Sequence, residues 1–258
     1  MAWEVIDDLR FEFDVQGYLH LRGAMTPEEV EECVKWGIEM EDTDVDALNE
    51  DYPEGMNGQS NRPVSRIVDA DPRFGRFLDH PVVEPFLKEF LGEDYRHIDN
   101  ELYYTYPGYK GGGWHRGVNT HPTGHNVNGR FICAMVKVFY CITDVGPGQG
   151  EFVVIPGSHR ANFHIDMQGR IDLPGQHVFD DVKAGDIIIF NEGLLHNGRP
   201  NPSDHTRKTI IVNSGRNYAG VWKGYRPLPE TLEAVTPRQR KILTNINQSF
   251  WKQPTLVS

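Results

Sequence analysis

From about residue 96 onward the chain is a succession of short β-prone runs: "HIDNELYYTY", "RFICAMVKVFYCITDV", "EFVVIPG", "HVFDD", "DIIIF", "LLHNG" and "RKTIIVNSG". Gly, Pro, Asn and Asp punctuate them. Strands this short and this numerous bury their apolar faces only against one another, so the pattern predicts a sandwich or a barrel. Upstream, "GYLHLRG" at 17–23 reads as a strand. "TPEEVEECVKWGIEM" then predicts a helix, with Thr26 as N-cap, Pro27 at the first helical position and Glu28 and Glu29 in the first turn. A second helix is predicted in "DHPVVEPFLKEFLG", ended by Gly92, and residues 41–65 read as one long polar loop. The expected organisation is a single domain of 258 residues, mainly β with flanking helices: N-terminal helices over about 26–92, a barrel over about 96–216 and a helical tail over about 228–258.

Charge and cysteine usage narrow the function classes. The formal charge is -11 and the basic residues form no run, which argues against nucleic-acid and anionic-membrane surfaces and for small-molecule partners. Three cysteines without CxxC spacing fit neither a disulfide framework nor a zinc ribbon. No stretch approaches the roughly twenty apolar residues of a membrane span, and the acidic start "MAWEVIDDLRFEF" lacks the order of a secretory signal. A soluble cytoplasmic protein is expected.

Chemistry concentrates in "GGGWHRGVNTHPTGH" at 111–125, which supplies His115, His121 and His125 and no acidic residue. Crowded imidazoles point to a metal; the missing acid leaves its coordination sphere open. A second signal is Lys137. In "CAMVKVFYC" strand alternation puts it on one face with Met135 and Phe139, where a lone cation needs an anionic partner.

"GEFVVIPGSHR" at 150–160, "AGDIIIFNEGLLHNGRPN" at 184–201 and Arg207, eleven positions after His196, together resemble the phytanoyl-CoA dioxygenase family of iron(II) and 2-oxoglutarate oxygenases. The opening strand and helix from Gly17 to Met40 resemble that family's start, and the resemblance runs from about residue 10 to about 215. It implies a jelly roll, the cupin-like double-stranded β-helix. It also implies an iron site built from an early H-x-D or H-x-E pair and a distant histidine, with 2-oxoglutarate and O2 as cosubstrates. On this resemblance His196 is the distal ligand, His115 of "WHRG" the early one and Arg207 the anchor for the distal carboxylate of 2-oxoglutarate, with Lys137 a second candidate anchor. His121 is a rival to His115.

The resemblance places Gly117 where the family carries its carboxylate. Three readings stay open. The glycine resembles that of non-haem iron halogenases, where chloride fills the vacated position; or Glu192, less so Glu151, substitutes as ligand or hydrogen-bond partner of an ordinary hydroxylase; or the site holds iron by two histidines with water, or holds none and binds a small molecule without catalysis. Hydroxylation is ranked ahead of halogenation. Trp114, Arg116, Asn119, His121 and Arg199 are expected to line the mouth and to favour a polar or anionic substrate, with residues 41–65 and 116–130 as lids.

Overall fold

The computed structural model describes residues 4–41, 60–117, 123–162, 165–222 and 225–244. Its helices are α1 Asp7–Gln16, α2 Pro27–Glu39, α3 Ile67–Ala70, α4 Glu84–Leu91, α5 Pro229–Ala234 and α6 Pro237–Thr244. Its strands are β1 Tyr18–Leu21, β2 Asn61–Ser65, β3 Arg96–Thr105, β4 Gly124–Val127, β5 Arg130–Cys133, β6 Met135–Cys141, β7 Phe152–Val154, β8 His177–Phe179, β9 Ile187–Asn191, β10 His196–Gly198 and β11 Arg207–Gly215. A six-stranded antiparallel sheet in the order β1-β9-β6-β11-β3-β2 faces a three-stranded sheet β10-β7-β8, and β4 and β5 form a separate hairpin. This is the expected double-stranded β-helix with flanking helices.

Alternation decides what each face of the large sheet meets. Val136, Val138, Tyr140, Ile187, Ile189, Ile210 and Val212 turn outward into a core shared with α2 and α4, whereas Phe139, Cys141, Ile188, Phe190 and Ile211 turn inward onto Phe152, Val154 and Phe179 of the small sheet. A sheet buried on both sides needs unbroken apolar strands, which is why β9 reads "IIIF". At about 1.5–3 kcal/mol for each large side chain taken out of water, these two layers dominate the stability of the barrel.

The caps behave as their residues dictate. Thr26 accepts from the Glu29 N–H while the Glu29 carboxylate accepts from the Thr26 N–H, a closed capping box for α2. The "VKAGD" turn that launches β9 is tied by Asp186, which accepts from the N–H groups of Gly23 (2.7 Å) and Lys183 (3.0 Å) and from His20 (2.8 Å). Gly185, at φ +97°, makes the left-handed step this turn requires.

The structure departs from the sequence reading at several elements. Residues 61–65 leave the expected loop to become the edge strand β2, where Pro63 is tolerated because an edge needs no donor on its outer side; residues 42–59 lie outside the described residues. The long run at 130–145 splits at Ala134 into β5 and β6, and β5 folds back on β4, so of the expected lid 116–130 the part from Gly124 onward is hairpin, and residues 118–122 lie outside the described residues. Helix α1 was not anticipated; it docks Phe13 on Phe90 with stacked rings 3.8 Å apart. Among the described residues no helix is long and apolar enough to cross a membrane, and Cys33, Cys133 and Cys141 are buried free thiols.

Candidate active site

The fold brings His115 and His196, distant in sequence, into direct apposition. Their backbones form an antiparallel bridge, His115 N–H to His196 O at 3.1 Å and His196 N–H to His115 O at 2.9 Å, and the ring centroids are 4.2 Å apart. Each ring is locked the same way: Nδ1 of His115 donates to the Gly113 carbonyl (2.7 Å) and Nδ1 of His196 to the Leu194 carbonyl (2.8 Å). A carbonyl only accepts, so Nδ1 carries the proton and Nε2 keeps its lone pair in both rings. Burial holds both imidazoles below their ordinary pKa, His196 far below, with Lys137 adding to the effect. His196 is 4% exposed and packed by Phe152 and Phe190, while His115 opens to solvent. Two neutral nitrogens therefore stand side by side at the rim of an apolar floor, the protonation state a metal requires.

Beside them Gly117 sits at φ +42°, and a Cβ built there would lie 2.5 Å from the Thr123 methyl and 3.5 Å from Cγ of Glu192. The room for a carboxylate at this position is taken by neighbouring side chains. Glu192 itself, 1% exposed, spends Oε1 on Lys137 Nζ at 3.1 Å and leaves Oε2 buried without a partner. Lys137 thus has its anion within the protein, on the concave face, with Trp222 stacked over its ammonium at 4.8 Å. Burial works against that ammonium, but Glu192, Glu101 and Asp99 outweigh it and hold it charged. Among the described residues no set of three His, Cys, Asp or Glu side chains is arranged to hold a metal ion, so Glu192 stands next to the histidine pair rather than completing it.

Arg207 lies elsewhere on the same concave surface. Its guanidinium donates to the Gly150 carbonyl (2.5 Å) and to Thr105 Oγ1 (3.3 Å), its Nε has no partner, and it makes no ion pair among the described residues. Burial depresses its pKa; Tyr109, Cys141, Tyr103 and Glu151 offset part of that. This half-buried guanidinium thus faces hydroxyls and a backbone carbonyl, with Glu151 the acid that acts on it.

Other expected site residues are placed differently. Trp114 is no mouth residue: it is buried against Val153, Leu173 and Leu195 and donates Nε1 to the Ile171 carbonyl. Arg199 is paired with Asp172 at 2.9 Å. Glu151 is buried, 5% exposed, not a solvated turn acid; its Oε1 accepts from the Gly148 N–H. His125 sits in the β4–β5 hairpin beside Tyr218, and Asn119 and His121 lie outside the described residues. Sequence reasoning missed Asp99, Glu101 and Asn213, which share the concave face with Lys137. The signal was present as alternating polar residues in "HIDNELYYTY".

Comparison with known proteins agrees with this geometry. The family model for phytanoyl-CoA dioxygenase matches residues 13–209. Among curated relatives, dioxygenase aneA of Aspergillus aculeatus is 24% identical over 202 residues, 76% of this chain and 67% of that protein. Dioxygenase lolE1 of Epichloe uncinata is 30% identical over 129 residues, about half of each chain at 48%. The fold is that of HygX from Streptomyces hygroscopicus, solved with nickel and 2-oxoglutarate bound (TM-score 0.71, 19% identity, covering 85% of this chain and 91% of that one). It is also that of SnoN, a non-haem α-ketoglutarate-dependent epimerase from nogalamycin biosynthesis (TM-score 0.66, 16% identity, covering 86% and 92%). A jelly roll with paired histidines at its rim and a match across most of the chain make this protein a member of the phytanoyl-CoA dioxygenase family.

Proposed function

We propose that this enzyme is an iron(II)- and 2-oxoglutarate-dependent dioxygenase that hydroxylates a small polar molecule. The observation that carries the reading is the histidine pair: two neutral imidazoles, bridged through their backbones, each with Nε2 left for a metal. His115 and His196 would hold the iron, and Arg207 the distal carboxylate of 2-oxoglutarate. Iron with 2-oxoglutarate and O2, when bound, supplies the oxidising power that cleaves a substrate C–H bond, 2-oxoglutarate leaving as succinate and carbon dioxide. The protein's own part is to fix the two ring planes and to keep water off the floor with Phe152 and Phe190. Glu192 would keep its charge on Lys137 and its unpartnered Oε2 as an acceptor near Gly117. HygX has been solved with hygromycin B bound and SnoN with nogalamycin RO, which supports a small-molecule substrate. The buried thiols suit the reducing cytoplasm, the compartment this reading adopts.

Hydroxylation is ranked ahead of halogenation, and the crowding of Thr123 and Glu192 around a side chain at Gly117 makes the response to chloride the measurement that separates the two. The test is anaerobic titration of iron(II) and 2-oxoglutarate followed by absorption. His115→Ala and His196→Ala are each expected to abolish stoichiometric iron binding, and chloride to leave the spectrum unchanged. Full occupancy in both variants would overturn the assignment; loss in His121→Ala with retention in His115→Ala would move the early ligand; a chloride-dependent band would restore the halogenase.

A further inference from the structure

Strand alternation puts Arg207, Thr209, Ile211 and Asn213 of β11 on the inner face of the large sheet, and the register sets Asn213 between Lys137 of β6 and Asp99 of β3. Six residues of strand place Asn213 about 20 Å from Arg207, beyond the reach of a five-carbon diacid held by that guanidinium. Lys137 is paired in turn with Phe190, which packs on His196, so Asn213 belongs to the surroundings of the histidine pair. Lys137 and Asp99 on either side of it keep partial solvent access. We infer that Asn213 is the recognition residue of a substrate subsite for a neutral amide, a carboxamide or lactam, bound edge to edge. Its identity as a substrate site rests on the oxygenase reading.

Two independent observations carry it. Asn213 is 1% exposed, yet neither its Oδ1 nor its Nδ2 has a hydrogen-bond partner among the described residues. A buried amide left without partners costs free energy, and native proteins rarely tolerate one unless a ligand or water completes it. The second is what else stands open around Lys137. Glu192, 3.1 Å from its ammonium, keeps Oε2 buried and unpartnered, and Trp222, whose ring lies 4.8 Å from the same ammonium, keeps its indole N–H buried and unpartnered. The open groups are thus two donors and two acceptors. The charges nearby are engaged with one another: Lys137 pairs with Glu192, and Glu101 interacts with Asp99. Selection follows from the donors and acceptors alone. An ammonium only donates and would leave Asn213 Nδ2 and Trp222 Nε1 without acceptors. A carboxylate only accepts and would leave Asn213 Oδ1 and Glu192 Oε2 without donors. A hydroxyl meets Asn213 at one point, whereas an amide presents N–H and C=O side by side in one plane, as Asn213 itself does, and satisfies both ends together. Of the polar or anionic substrate expected from the mouth residues, the neutral polar class is kept.

The test uses the full chain with saturation-transfer NMR and four probes of one carbon frame: butyramide, butan-1-ol, butylamine and butyrate, each at tens of millimolar. Butyramide is expected to bind best, butan-1-ol more weakly, and butylamine and butyrate least. Asn213→Leu is expected to weaken butyramide about tenfold and to erase its advantage over butan-1-ol. Asn213→Asp exchanges the Nδ2 donor for an acceptor and is expected to move the preference from butyramide to butylamine, a switch that a merely structural asparagine would not produce. Where Asn213→Leu fails to fold, Asn213→Asp decides. Butylamine or butyrate bound as well as butyramide by the unaltered chain, no amide binding, or an amide preference untouched by these variants would overturn the subsite. Titration of 2-oxoglutarate into the unaltered chain separates the two levels: amide preference without 2-oxoglutarate binding sinks the oxygenase reading alone, and 2-oxoglutarate binding without amide preference sinks only the subsite.

Discussion

Two buried cations lie on the inner face of one sheet and live in opposite surroundings. Lys137 is held by Glu192 at 3.1 Å, with Glu101 and Asp99 close by. Arg207 has a backbone carbonyl, a threonine hydroxyl and tyrosines around it, with Glu151 near enough to act on its charge but in no ion pair with it among the described residues. The first is compensated from within the protein. The second has no such ion pair among the described residues, and on the proposed reading the carboxylate of 2-oxoglutarate completes it. In the sequence the two were rivals for one role, since alternation marks a cation on an inner face but says nothing of what stands opposite.

Breaking the internal pair has the largest expected effect. Glu192→Leu leaves the Lys137 ammonium buried beside fewer acids and is expected to cost about 3–5 kcal/mol in urea unfolding, most of it recovered in the Lys137→Met/Glu192→Leu double variant. A loss below 1 kcal/mol would mean that the pair is already solvated. Next comes Arg207→Ala, expected to lower 2-oxoglutarate binding by about 1.5–3 kcal/mol in calorimetry while Lys137→Met does not. Equal losses in the two would erase the contrast. Smaller still is a pH effect confined to the acidic end. Because the folded Asp99 carboxyl titrates above its unfolded value, the unfolded chain releases that proton first, and stability falls as pH rises from the ordinary carboxylate range toward the folded pKa. Asp99→Asn is expected to flatten that slope by up to about 1.4 kcal/mol per pH unit, and Arg207→Gln to leave it alone. The smallest change is Thr105→Val, which removes one long hydrogen bond to Arg207 and is expected to weaken 2-oxoglutarate by no more than about 1 kcal/mol.

Much of the fold was legible because its strands and caps carry local signals: Thr26 with Glu29, the "VKAGD" turn, Gly92 after α4 and the run "IIIF" each state their conformation within a few residues. Helix α1 was hidden by its acidic start, although Leu9, Phe13 and the left-handed Gly17 mark one face and an end. Strand β2 was hidden by Pro63, which disqualifies a central strand but not an edge. At the site, histidines and arginine were legible as residue types. The polar row of Asp99, Glu101 and Asn213 was not, because it arises from cross-strand register between segments over a hundred residues apart.

The bridge between His115 and His196 bears on how such a centre can change over time. Their spacing is set by two main-chain hydrogen bonds, which no side-chain replacement other than proline deletes. Drift at the neighbouring position, aspartate to glycine included, can proceed while the two nitrogens stay in register. A lineage that surrenders one ligand therefore retains a working scaffold on which a different third partner, and a different reaction outcome, can be tried.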